Sequence, residues 1–181
     1  MSVFTVLFYG NGAFMAEYNS KYKIGDFVLY GLNGTCKIVD IGPLDFGGPD
    51  KIYYSMKPVS DARSTIYLPL TKEEEILRGV MSKDEAKQVV EGIKKSKPAT
   101  YSPVRENCDV ILKSGDNVAV SSMIKLLRNM RKENRKIHKG LNIQEEKILK
   151  DAERVLFSEI SIALDMPYTE AVISIGEILD V

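Results

Sequence analysis

Tryptophan is absent from the 181 residues, histidine occurs once and cysteine twice. Cys36 and Cys108 lie far apart and share no CxxC or Cys/His spacing, which argues against a zinc site and a disulfide framework and fits a reducing cytoplasm. The lone histidine, His138, sits beside Lys139 in a basic run and reads as a solvated surface residue, not a catalytic base or ligand. No stretch approaches the roughly 18 apolar residues that a membrane span requires. The opening segment MSVFTVLFYGNGAF lacks a positively charged start and a small-residue cleavage site, and it breaks at Gly10-Asn11-Gly12, so secretion is not expected. Residues 1–14 read as an N-terminal extension ahead of the first patterned segment, with a short extra strand as the alternative.

Reactive constellations are equally scarce. Gly10-Asn11-Gly12 and Gly47-Gly48 are not phosphate loops, since neither precedes a helix opening with Lys-Ser/Thr. Glu73-Glu74-Glu75 resembles a carboxylate pair only superficially, because consecutive helical residues point about 100° apart; it reads as first-turn charge that suits the helix dipole. Without clustered nucleophiles, bases or ligands the expectation is a non-enzymatic protein with no cofactor, no metal and no small-molecule substrate.

Net charge is zero as well, with 25 Lys+Arg against 25 Asp+Glu, but the charges are unevenly laid out. Residues 94–139 hold twelve bases against four acids, whereas residues 140–181 hold three against nine. A patch of one sign raises the local potential and favours a polyanion, whose phosphates then dominate the affinity. Charge alone fits a solvated helical face equally well.

The patterning falls into two halves. From Tyr22 it is β: Phe27 to Tyr30, Thr35 to Ile41, Lys51 to Val59 and Arg63 to Leu68 read as strands, separated by Gly31-Leu32-Asn33-Gly34, Gly42-Pro43, Gly47-Gly48-Pro49 and Ser60-Asp61-Ala62. Pro69 ends the pairing capacity of the fourth. So many short strands in so few residues suggest a small bent sheet of the SH3 or Tudor type. After Thr71 the period becomes helical. Glu73 to Arg78 reads as a short helix, and Ser82 with Glu85 forms a capping box for a helix ending near Lys95, before Pro98. Further helices are expected from Ser102 to Ser114, from Asp116 or Asn117 to Gly140, from the capping box of Asn142 and Glu145 to Asp165, and from Thr169 through Leu179. In the longest basic segment Lys125, Arg128 and Lys132 are spaced by three and four and project to one side, with Arg131 and Arg135 beside them. The expected fold is therefore α+β, with a Tudor-like domain at 15–70 and an all-α helical domain at 71–181.

Several stretches in this order resemble one family. Ile24-Gly25-Asp26-Phe27-Val28-Leu29-Tyr30, Asn33-Gly34, Ile38-Val39-Asp40-Ile41, Tyr53-Tyr54, Leu68-Pro69, Leu77-Arg78, Leu112-Lys113-Ser114-Gly115-Asp116, Leu127-Arg128 and Gly140-Leu141 to Glu145, followed by Ala152, Leu156 and Glu159-Ile160, resemble the CarD/CdnL family of bacterial transcription regulators. The N-terminal half is also similar to the polymerase-interacting domain of the transcription-repair coupling factor. The likeness runs from about Tyr22 to Leu179.

The resemblance implies a sheet module that binds the β subunit of RNA polymerase and a helical module that contacts promoter DNA near the upstream edge of the transcription bubble, stabilising the open complex. A protein-interaction adaptor that makes no DNA contact is the alternative. Polymerase binding is expected of Arg63, Ser64, Thr65, Ile66 and Tyr67, which could add to a partner sheet through backbone hydrogen bonds. DNA binding is expected of Tyr101, Lys97, Arg105, Lys113, Lys125, Arg128, Arg131 and Lys132. The family's minor-groove tryptophan is matched here by Tyr101, a smaller ring with a polar tip. Action would be cytoplasmic, alongside polymerase.

Overall fold

A computed structural model of the protein describes residues 7–9, 12–14, 18–48, 51–101 and 105–180. Two compact units emerge, one built from the chain up to Tyr30 with Thr35–Gly79, the other from Gly31–Gly34 with the chain from Val80 on.

The first unit is β. β1 (Leu7–Tyr9) and β2 (Gly12–Phe14) pair with each other as an antiparallel hairpin, the extra strand left open as an alternative for the N-terminal segment. β3 (Phe27–Tyr30), β4 (Thr35–Pro43), β5 (Ile52–Pro58), β6 (Ile66–Pro69) and β7 (Leu77–Gly79) form one antiparallel sheet in the order β6-β5-β4-β3-β7. Val28, Cys36, Ile38, Ile41, Tyr54, Met56, Leu68 and Leu77 make its core. The loose alternation in β4 has a local cause. Its register against β5 shifts between Ile38 and Asp40, so the bulged Val39 faces solvent while Ile38 and Ile41, three apart, both point inward.

Two sequence expectations change here. The fourth strand starts at Ile66, because Arg63 and Ser64 are held in a turn by Asp61: the Arg63 N–H donates to Asp61 Oδ1 at 3.3 Å and Ser64 Oγ donates to Asp61 Oδ2 at 2.6 Å. Pro69 is itself in the strand, which an edge position tolerates. The helix expected over 73–78 stops after one turn, α1 (Glu73–Ile76), and Leu77–Gly79 pairs with β3 instead, Leu77 opposite Tyr30 and Gly79 opposite Val28. Burial of Leu77 in the sheet core outweighs continuation of so short a helix.

The second unit is helical, with α2 (Lys83–Lys95), α3 (Arg105–Ser114), α4 (Asn117–Lys136), α5 (Ile143–Ala163) and α6 (Tyr168–Leu179). Both capping boxes form. Ser82 Oγ accepts from the Glu85 N–H while Glu85 accepts from the Ser82 N–H at 2.7 Å, and Asn142 and Glu145 repeat the arrangement at 2.9 Å in each direction. Asp116 caps α4, accepting from the Val118 and Ala119 N–H groups at 3.0 and 2.9 Å. Met123, Ile124, Leu127, Leu149, Leu156 and Ile160 are enclosed at the centre of the bundle. The turn Gly31–Gly34 packs on α5: Arg154 donates to the Leu32 carbonyl at 3.0 Å, and a Cβ on Gly34, whose φ is +73°, would lie 2.5 Å from Ser158 Oγ.

α4 ends before Gly140. His138 takes the left-handed conformation with φ 55°, its N–H donating to the Arg135 carbonyl at 3.1 Å, and the Lys139 N–H donates to the Asn134 carbonyl at 2.9 Å. That pair of bonds is a Schellman closure with histidine where glycine is usual. Asp165, φ 56°, closes α5 the same way through Asp165 N–H to Ile162 and Met166 N–H to Ser161.

Candidate functional site

On the sheet unit, β6 lies at the edge, so its outward-facing backbone groups have no strand partner among the described residues. Tyr67 projects from this strand with 44% of its surface exposed, and Arg63, Ser64 and Thr65 ahead of it are exposed too, whereas Ile66 is half-buried against the core. Arg63 lies 3.7 Å from Asp61, and Asp61's carboxyl is held below the usual range, chiefly by the hydrogen bond from Ser64. The sequence reading missed Phe46. This residue is 71% exposed; its ring meets the Tyr67 ring edge-on at 5.4 Å and tilts against Tyr53 at 6.0 Å. Gly47 permits the approach, since a Cβ there would collide with the Tyr53 ring. The available signal was an aromatic set in a glycine-rich loop, where nothing local buries it. An open groove lined by Tyr18, Ile52, Tyr53, Pro69 and Leu70 adjoins the end of the same strand. A bare strand edge, an aromatic patch and a groove together make a surface suited to an extended segment of another protein.

At the base of this unit Tyr54 donates a short hydrogen bond to Glu73, whose carboxylate also accepts from the Lys21 N–H at 3.0 Å. Burial, and then this bond, push the Tyr54 hydroxyl well above the ordinary tyrosine range. The leading glutamate of the acidic triplet thus anchors the sheet core.

The helical unit revises the basic ridge. Lys125, expected on the DNA-facing side, is only 4% exposed, and its ammonium donates to the Ile93 and Ser96 carbonyls, each at 2.9 Å. It caps the C-terminus of α2. Arg128 is also committed internally: Nε donates to Glu153 at 2.8 Å, Nη1 to the Gly176 carbonyl and to Asp180 at 2.9 Å each, tying α4 to α5 and α6. Lys125 is thus turned inward onto backbone carbonyls and Arg128 is ion-paired with Glu153 and Asp180, which argues against both as phosphate contacts. Tyr101 is half-buried, and its hydroxyl is enclosed with no hydrogen-bond partner among the described residues. Burial raises the pKa of that hydroxyl, with Cys108 adding in the same direction. Enclosure of the hydroxyl favours a packing role for this ring over the wedge expected of it against DNA. The side chains of Arg105 and Lys113 lie outside the described residues.

What remains is a smaller basic surface. Lys97, Lys132 and Arg135 are exposed and make no ion pair among the described residues. Arg131, partly exposed, reaches Glu146 at 3.8 Å. Arg131, Lys132 and Arg135 line a shallow concavity together with Asn129 and the ion-paired Arg128 and Asp180. Such a surface holds phosphates by charge and reads no sequence. No group of His, Cys, Asp and Glu suited to a metal occurs among the described residues, and no helix there is long and apolar enough to cross a membrane.

The two surfaces, an exposed strand edge with its aromatic patch in one unit and a basic helix face in the other, fit a two-module interaction protein. The family comparison gives this class its identity. Residues 22–81 match the CarD-like/TRCF RID domain and residues 85–175 match the CarD C-terminal domain, so the chain belongs to the CarD family. No curated protein matches it. CarD-like proteins are non-enzymatic transcription regulators that interact with RNA polymerase, and the RID module is Tudor-like, as the bent sheet was read.

Proposed function

We propose that the sheet unit docks on the β subunit of RNA polymerase by presenting the edge of β6, and that the helical unit then holds promoter DNA near the upstream edge of the bubble, prolonging the open complex. The observation that carries the docking half is the outer edge of β6, which has no strand partner among the described residues, with Tyr67 and Phe46 packed together and exposed beside it. Backbone groups of a partner strand supply affinity, and the aromatic pair supplies an anchor. Lys97, Arg131, Lys132 and Arg135 contact phosphates, joined by Arg105 and Lys113 on the strength of the family resemblance. Docking raises the effective concentration of these weak contacts beside the promoter, so each need contribute little alone.

The adaptor alternative gains something from the internal use of Lys125 and Arg128, which thins the ridge. Filter binding of bubble DNA at low salt separates the two readings. Binding that weakens steeply with salt supports the DNA role, and no binding at about 50 mM salt leaves the adaptor. For the docking half, Tyr67→Glu is expected to abolish capture of the polymerase β subunit; capture unchanged by this substitution would sink the edge-strand assignment.

A further inference from the structure

The turn between α4 and α5 presents two large aliphatic side chains to solvent. Ile143, the first residue of α5, is 90% exposed, and Ile137, the C-cap of α4, is 62% exposed. The turn that carries them is well fixed. Asn134 Nδ2 donates to the Gly140 carbonyl at 2.9 Å, the Schellman bonds close α4, and the capping box opens α5. Exposed aliphatics on a rigid tip lose little conformational freedom when a partner covers them.

Charge around the tip selects the partner. Residues 131–147 contain six bases against three acids. Each acid is already engaged: Glu133 with Lys136 at 2.7 Å, Glu145 with the Asn142 N–H at 2.9 Å, and Glu146 with Arg131 at 3.8 Å. Lys132, Arg135, Lys139 and Lys147 make no ion pair among the described residues. Exposed apolar side chains on a segment rich in bases that make no ion pair among the described residues match a surface of apolar faces set between phosphates.

We infer that this tip, centred on Ile143 and Ile137, is a second DNA contact that favours duplex whose base steps are opened or easily unstacked. There the bases and sugars offer apolar surface to the isoleucines while the bases of the tip hold the flanking phosphates. The inference rests on the DNA role proposed above. An anionic lipid surface is the competing partner for such chemistry, but two aliphatics without an aromatic give a shallow anchor, and the tip continues the basic side of α4.

The test uses the full chain, a fluorescent duplex with a central unpaired bubble, the same duplex fully paired, and vesicles of mixed phosphatidylglycerol and phosphatidylcholine. Wild type is expected to bind the bubble roughly fivefold more tightly than the paired duplex, about what partial burial of one isoleucine supplies. Ile143→Ser with Ile137→Ser should remove that preference yet leave paired-duplex affinity within about twofold, since phosphates supply it. Lys139→Gln should instead weaken both DNAs and lower the salt slope by about 0.9. Full preference retained in the double isoleucine variant overturns the inference and leaves the DNA role standing. Vesicle binding lost in that variant, with DNA preference unchanged, reassigns the tip to a membrane surface. No binding of wild type to either DNA at low salt defeats both the inference and the DNA role.

Discussion

The ammonium of Lys125 donates to the carbonyl of Ile93 at 2.9 Å inside the helical unit, and to that of Ser96 at the same distance. A lysine that spacing alone places on a basic face is thus the C-terminal cap of α2. Burial lowers its pKa from the ordinary lysine value. Lys125→Met should leave both carbonyls without this donor and cost about 1–3 kcal/mol in denaturant-measured stability. The salt slope of DNA binding should not change. Lys132→Gln should do the reverse, lowering that slope by about 0.9 while stability stays within about 0.5 kcal/mol. A Lys125 variant that keeps its stability and loses salt dependence would restore the lysine to the DNA face.

Cys36 is fully enclosed in the sheet core, and burial pushes its thiol from 9.0 up to about 12. The neutral form is therefore the one that folding favours. Sheet-unit stability from this group is intact below pH 9 and falls as pH rises from there toward the raised value. Denaturant titrations between pH 8 and 11 should show this loss, reduced in Cys36→Ala. Burial raises the Cys108 thiol as well, so a thiol-reactive dye should label neither cysteine in the native protein at pH 8 and both after unfolding. Rapid native labelling of Cys36 would contradict the enclosed core.

His138 holds a left-handed φ of 55° to close α4. Glycine adopts that conformation without the steric cost, so His138→Gly should raise stability by about 0.5–1 kcal/mol despite the added freedom of the unfolded chain. Thermal melts of the two proteins check this. A fall in melting temperature would mean that the imidazole makes a contact worth more than the strain.

Local chemistry was legible where it is self-contained. The capping boxes at Ser82/Glu85 and Asn142/Glu145 need only residues three apart, and both formed as read. The strands around Phe27, Thr35 and Ile52 were legible because each is a short run rich in β-branched and aromatic residues bounded by glycine or proline turns. β7 was not: three residues are too few to show a period, and Leu77 is extended only because β3 lies ready to pair with it. Site residues were harder for the same reason. Helical spacing says that Lys125, Arg128 and Lys132 share a side of α4, but not that the α2 terminus covers the first and Glu153 and Asp180 neutralise the second. Nor does sequence reveal that the Tyr101 hydroxyl turns inward or that Phe46 stands out against Tyr67.

The lifetime of a promoter open complex, formed with purified bacterial RNA polymerase, tests the tethered account most directly. Wild-type protein should lengthen it severalfold, and Tyr67→Glu should lose the effect at the same concentration. Its fold should remain within about 0.5 kcal/mol of wild type, because the exposed ring contributes little to the sheet core. A Tyr67→Glu protein that prolongs the complex as fully as wild type would contradict docking through β6, and a wild-type protein that captures polymerase yet leaves the lifetime unchanged would contradict stabilisation.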